Sequence, residues 1–496
     1  MTNEKGTGDA SASSGGFVKA LTLTDATMLV AGSMIGSGIF IVSADISRTV
    51  NSPLWLMLAW VAAGVITMLG ALAYGELAAM YPHAGGQYVF LRESMGPMMG
   101  FLYGWTLFVI IQTGTIAAVA VAFGRFLGVL WPSITPDLFG WFPQHRFVTS
   151  GGSIDAGLSP QRLIALISIW VLTWINLRGV REGKLVQTTL TIVKTGALAL
   201  LIILGLTIGR NAQAIAANFS NGAFSGGVSI TSVFMIAFGA SLVGSLFASD
   251  AWNNVTFAAA EVQNPKRNLP LALFLGTALV STLYLLANVA YLSVLPLHGI
   301  KDGATVLERG IQFATQDRVG SAAAEVIFGA AGATIMACAI LISTFGCNNG
   351  LILSGARVYY AMAKDRLFFR SVGTLNRNKV PAAGLIAQAI WASLLCLTGT
   401  YSQLLDYVIF AALIFYALTT IGLFILRAKR PDAERPYKAF GYPVLPALYI
   451  VLASTIAVVL LIADKTRTQA LSGLVIVAIG IPVYYLWRKR DPEPQQ

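Results

Sequence analysis

The stretch Ala31-Gly-Ser-Met-Ile-Gly-Ser-Gly-Ile-Phe40 lies inside an apolar segment of membrane-spanning length, roughly residues 23–46. Gly32, Gly36 and Gly38 make a poor helix interior, because glycine loses the most backbone entropy on ordering and packs no side chain. In lipid a broken backbone is tolerated only where it is buried in protein or lines a wet cavity. Residues 35–38 are therefore predicted to form an unwound joint whose freed amides and carbonyls face a small charged molecule. The competing reading is close helix packing through small residues, which the Gly32/Gly36 spacing would also serve.

Outward from this joint, the chain has 496 residues, of which 56% are hydrophobic and 11% charged. Soluble domains run near about 25% charged, and apolar runs of about 20 residues recur here along nearly the whole length. The pattern predicts an all-α polytopic membrane protein with twelve spans, near 23–47, 53–80, 97–131, 160–177, 185–208, 231–259, 269–295, 322–349, 383–400, 403–427, 443–463 and 470–487. Alternate loops divide Lys and Arg 22 to 10, with the richer set on the side of the N-terminus. This asymmetry predicts that both termini are cytoplasmic. The net charge of +11 is thus a topology signal, and nucleic acid is not an expected partner. The polar, Gly/Ser-rich residues 1–17 are expected to be disordered, with no cleavable signal peptide. Cys338, Cys347 and Cys396 lack metal-ligand spacing, and His83, His145 and His298 are isolated. No nucleophile–base set is present either, so neither an enzyme nor a cofactor is expected.

The sixth span carries a second irregular stretch, Phe247-Ala-Ser-Asp-Ala-Trp-Asn-Asn254. A mid-span Asp is costly unless it is paired or faces a cavity, and Ser and Asp compete for backbone hydrogen bonds. Interrupted first and sixth spans point to two inverted five-helix repeats with a site at the midplane. The expected division is 1–17 as N-terminal segment, 18–210 and 211–430 as the repeats, 431–490 as two further helices and 491–496 as tail. Lys194 falls nine residues into the fifth span, about 14 Å deep, too far for full snorkelling, so it is expected to face the bundle. Residues 296–320 are predicted to hold a short external helix, over about 304–314, that could act as a lid. Residues 357–379 read as a basic cytoplasmic segment.

The first stretch resembles the hallmark of amino acid permeases of the amino acid–polyamine–organocation superfamily. The run Ala73-Tyr-Gly-Glu-Leu-Ala-Ala-Met-Tyr-Pro-His-Ala-Gly-Gly-Gln-Tyr-Val-Phe-Leu-Arg-Glu93 narrows the likeness to the L-type amino acid transporter family and its bacterial relatives. So do Glu261-Val-Gln-Asn-Pro-Lys-Arg-Asn-Leu-Pro270, Ala287-Asn-Val-Ala-Tyr-Leu-Ser-Val-Leu295 and Ser343-Thr-Phe-Gly-Cys-Asn-Asn-Gly350.

The resemblance implies a LeuT-type fold, a 5+5 inverted repeat with helices 1 and 6 discontinuous, plus helices 11 and 12. It implies that amides of Ser37, Gly38 and Ile39 receive a substrate carboxylate, at a helix start that favours anions. Carbonyls of Ile35, Phe247, Ala248 and Ser249 would receive the α-ammonium. Phe247 and Trp252 would gate the site, Trp252 equally suiting a packing role. Lys194 would take the place of a coupling sodium ion.

Sodium-independent exchange of small neutral amino acids follows, in a bacterial inner membrane. Proton-coupled symport of broader or cationic range and an amino acid sensor are the alternatives. Asp250 matches an acid found in dibasic-accepting members and also in relatives that prefer neutral substrates, and it suits equally well a cap on freed helix amides. The chain departs from the family's aromatic-x-Gly-Trp, reading Ser249-Asp250-Ala251-Trp252. Residues 132–159 contain no cysteine, so a disulfide-linked heavy subunit is not an expected partner.

Overall fold

Capping side chains mark where several long helices begin. Thr22 Oγ1 accepts from the Asp25 amide at 3.2 Å while the Asp25 carboxylate accepts from the Thr22 amide at 3.0 Å, a reciprocal box that opens α1 (Leu23–Met34). After a three-residue interruption, α2 (Gly38–Val50) resumes. Ser52 caps α3 (Pro53–Met80), with Pro53 in the first turn where its missing N–H costs nothing. Then come α4 (Pro97–Leu130), α5 (Pro160–Arg178), again a Ser cap followed by Pro, and α6 (Val180–Leu206). Thr231 caps α7 (Ser232–Ala248), which stops abruptly before a four-residue helix, α8 (Asn254–Phe257). The remainder is α9 (Pro265–Val294), α10 (Val306–Arg309), α11 (Val319–Phe328), α12 (Ala331–Lys364), α13 (Ala382–Thr398), α14 (Tyr401–Lys429), α15 (Val444–Ile462) and α16 (Arg467–Arg490).

The computed structural model describes residues 17–149, 152–220, 227–398 and 401–490. Expectations for residues 1–16 and for the tail 491–496 lie outside the described residues. Among those described, ten helices are long and apolar enough to cross a membrane, counting α1 and α2 as one. The chain is thus a predominantly helical integral membrane protein. Two more expected spans fall on α7 and α13, apolar helices of 17 residues each. An antiparallel ribbon pairs His145–Thr149 with Gly152–Ala156 inside the loop before α5.

Burial separates an inner group from an outer one. Of the most apolar window of α1–α2, 89% is inside the protein, against 28% for α15 and 22% for α16. The glycine-rich joint therefore sits in the centre, where an interrupted backbone can be tolerated. Two boundaries differ from the sequence reading. The eighth span does not run over 322–349: Gly329, at φ 65°, separates α11 from α12, which continues to Lys364. In consequence Arg357, expected at the start of a basic cytoplasmic segment, lies within α12, is 1% exposed and forms an ion pair with the buried Glu261 at 2.9 Å. The expected lid helix over 304–314 is reduced to α10, because Gly310 at φ 57° ends it after one turn.

Candidate substrate site

α1 ends at Met34, residues 35–37 are non-helical, and α2 starts at Gly38. The second interruption runs from Ser249 to Asn253, between α7 and α8. The two breaks touch: a Cβ placed on Gly38 would lie 2.7 Å from the Ala248 Cβ and 3.0 Å from its Cα. Only glycine permits this approach. The first turn of α2 has no preceding turn to accept its amides, so Gly38 and Ile39 N–H groups start a helix whose dipole favours an anion. The ends of α1 and α7 carry the opposite partial charge. The start of α2 and the ends of α1 and α7, brought together where Gly38 meets Ala248, offer both polarities that a zwitterion requires.

Lys194 of α6 reaches this point. Its side chain is 1% exposed, and Nζ donates to the carbonyls of Gly32 at 2.6 Å, Ile35 at 2.7 Å and Ser343 at 3.3 Å. A lone ammonium at this depth is costly, and here all three protons meet carbonyls, two of them at the negative end of α1. Ser343 Oγ lies 3.1 and 3.0 Å from the Ile35 and Gly36 carbonyls, and Cys347 Sγ lies 3.0 Å from that of Ser33. The freed carbonyls of the first break are thus gathered by α6 and α12.

The carbonyls assigned by resemblance to an ammonium are not equally open. Ile35 O already meets Lys194 and Ser343, and Ala248 O lies 3.0 Å from the Tyr284 hydroxyl. That hydroxyl, from α9, is also 3.0 Å from Met34 O, so Tyr284 joins the end of α1 to the end of α7. Phe247 O accepts from the Asp250 amide at 3.1 Å. No motif singled out Tyr284, whose value comes only from the angle at which α9 crosses the breaks.

Asp250 is 6% exposed and accepts from the Tyr416 hydroxyl of α14 at 2.5 Å. Tyr416 also approaches Asn253 Oδ1 at 3.4 Å, and Asn253 Nδ2 donates to Gln87, which donates to Thr419. Phe247 is buried at the break, and Trp252 packs edge-on against Tyr74 with centroids 4.8 Å apart. A Cβ on Gly70 would come 2.9 Å from the Trp252 ring, which fixes this indole as part of the packing of the joint. Two small cavities flank Asp250. One, about 20 Å³, is lined by Ser249, Trp252, Tyr416 and Thr67; the other, about 10 Å³, by Gln112, Asn253 and Phe257. Leu107 and Ile111 of the second belong to a π-helical turn in α4, a feature common at functional sites.

Each cavity has room for about one water. Both ends of the site are closed. On one face Leu21 pairs with the backbone around Val262, and Glu76 binds Arg427 (2.9 and 2.5 Å), Arg435 and the Ala439 amide. On the other, Arg48 of α2 binds Asp317 at 2.6 Å and the Gln312 carbonyl at 2.7 Å.

A buried site of opposed helix ends, closed at both faces of a helical membrane protein, defines a solute carrier. The profile described as "Amino acid permease" matches residues 21–485, and the chain belongs to that family. It is 31% identical to the serine/threonine exchanger SteT of Bacillus subtilis (strain 168), over 96% of this chain and 98% of the relative. It is 28% identical to the mouse b(0,+)-type amino acid transporter 1, over 99% and 94% of the two chains. To the mouse large neutral amino acids transporter small subunit 2 it is 29% identical, over 96% and 83%.

Proposed function

We propose that the chain is a sodium-independent exchanger of small neutral amino acids, working by alternating access. The similar exchangers and transporters of amino acids support this reading, and so does the matched family. In it the twelve spans form two inverted repeats, 18–210 and 211–430, with 431–490 as two outer helices, both termini cytoplasmic in a bacterial inner membrane. The substrate carboxylate meets the amides of Ser37, Gly38 and Ile39. The ammonium meets the carbonyls of Phe247 and Ser249, those of Ile35 and Ala248 becoming available as Lys194 and Tyr284 shift. Phe247 closes over the substrate, Trp252 supports the joint, and Asp250 sets the side-chain range. No heavy subunit is attached by a disulfide, since residues 132–159 offer no cysteine.

The observation that carries the proposal is Lys194 on the carbonyls of the first break. A fixed cation at that place makes a mobile coupling cation unnecessary, which leaves exchange as the simplest cycle. Counterflow in proteoliposomes tests it. Vesicles loaded with L-serine should accumulate labelled L-serine equally in sodium and choline buffers, and empty vesicles should not. Uptake by empty vesicles under an imposed pH gradient would replace exchange with proton symport. Binding without flux would make the protein a sensor.

A further inference from the structure

A cavity of about 160 Å³ lies apart from the helix breaks, under the segment between α9 and α12. It is several times larger than the spaces beside Asp250. Its lining combines Arg309, Arg318, Glu325 and Ser321 with apolar walls from Val129, Val306 and Ala333. Arg309 donates from Nη1 to the Gly303 and Ala304 carbonyls, which fixes its stem, while its buried Nε has no partner among the described residues. Among the described residues the Arg318 side chain makes one hydrogen bond, from Nε to the Thr315 carbonyl at 3.3 Å. Ser321 is 7% exposed, and its buried hydroxyl has no partner among the described residues. Glu325 closes no ion pair within 4.0 Å with any described residue, although two arginines line the same cavity.

Opposite charges that share a small enclosure normally collapse onto each other. Here the fold holds them apart. Arg318 is anchored at the start of α11 and Glu325 lies seven residues further along it, about two turns away. Burial, and then the positive charge of the neighbouring Arg125, push the Arg318 pKa down, and it is this second cation beside Arg318 that favours an anion there. Arg125 itself holds the Gln316 carbonyl at the edge of the same segment.

We propose that this cavity is an outer recognition site for a zwitterionic amino acid. The carboxylate lies between Arg309 and Arg318 with the Ser321 hydroxyl donating to it, and the ammonium lies at Glu325. Val129, Val306 and Ala333 leave room for a short aliphatic or hydroxylated side chain. The ligand class rests on the reading of the chain as an amino acid exchanger. The site is coupled to the central one by construction. The segment that forms it is tied to α2 through Arg48–Asp317 and through Gln312, whose Nε2 donates to Ser47 O and Asn51 Oδ1. Gly320 seats directly on Phe40 of α2. A ligand under the segment therefore acts on the helix whose first turn receives the carboxylate in the central site.

The test uses the full chain in lipid nanodiscs and proteoliposomes, with L-serine as probe. In counterflow, R318Q and E325Q should each raise the external KM about tenfold with kcat unchanged, and R318K should recover part of the loss. Unchanged KM in both variants, or a fall in kcat alone, overturns the outer site. Saturation-transfer NMR separates it from the central site. L-serine mixed with the Gly38→Ala variant, whose new methyl blocks the contact between the breaks, should still receive saturation from the protein, and with G38A/R318Q it should not. A G38A signal that R318Q leaves intact also overturns the proposal. A wild type that exchanges none of the common amino acids refutes the proposed function separately, since binding to G38A that R318Q abolishes would still report this cavity.

Discussion

The two helix breaks solve the same problem in opposite ways. The first, at residues 35–37, is built from glycine and is held by a cation: Lys194 and Ser343 gather carbonyls that the missing turn leaves free. The second, from Ser249 to Asn253, contains no glycine and is held by an anion, with Asp250 bound to a tyrosine of α14. One break is permissive in backbone and rigid in its side-chain support. The other forces an ordinary residue into an unusual conformation, since Ala251 lies at φ 64°. The first is therefore suited to a fixed anion-binding end, and the second to the part that changes shape with the substrate's side chain.

Removing the cation should break the comparison most severely. Lys194→Met removes the ammonium from the carbonyls of Gly32, Ile35 and Ser343, leaving the Ile35 carbonyl to the Ser343 hydroxyl alone, at a cost of about 3 kcal/mol or more. Counterflow should fall below detection, with a drop of several degrees in the midpoint of thermal unfolding in detergent. A Lys194→Met protein that exchanges at a normal rate would show that the first break needs no brace.

Gly38→Ala comes next. The added methyl meets Ala248 head-on, and overpacking of this kind costs about 1–3 kcal/mol. The breaks must separate to accept it, so exchange should be lost while the protein still folds, as judged by size exclusion. Gly64→Ala offers the control, because its Cβ would approach only Ser281 atoms at 3.3 and 3.4 Å, and activity there should persist.

At the second break, Tyr416→Phe removes the donor to Asp250 and should cost about 1.5–3 kcal/mol, the range for a hydrogen bond to a charged group. Asp250→Asn keeps the shape and removes the charge. Uptake of lysine and arginine that vanishes while alanine uptake persists would make Asp250 a reader of the side chain. Equal losses for all substrates would make it a cap for the joint.

How much of this was legible in the sequence follows the same division. The first break could be read because an interrupted sixth span at the corresponding place favoured an opening over close packing through the same glycines, and Lys194 because its depth forbade lipid. The second break was visible through Asp250, yet its support was not. Tyr416 lies 166 positions away on another helix, and Tyr284 serves both breaks only through the crossing of α9. The ion pair of Arg357 with Glu261 was not legible either, because the two lie 96 positions apart and only the packing of α12 brings them together. Local pattern reveals where a backbone fails, whereas long-range packing decides what catches it.

Ala251→Gly is the smallest expected effect and the sharpest comparison. An alanine at φ 64° carries about 1–2 kcal/mol of conformational cost that glycine lacks. Against this stand a gain of unfolded-state entropy of about 0.4–1 kcal/mol and the loss of a buried methyl, about 0.8 kcal/mol. These terms nearly cancel, so stability should change by less than about 0.5 kcal/mol. Ala31→Gly, inside α1, has no strain to relieve and should cost about 1 kcal/mol from helix propensity alone. Unfolding midpoints of the two variants, measured side by side, decide the matter. Equal destabilisation at both positions would mean that the left-handed turn at residue 251 is not part of the ground state, and the second break would lose its distinction from an ordinary helix end.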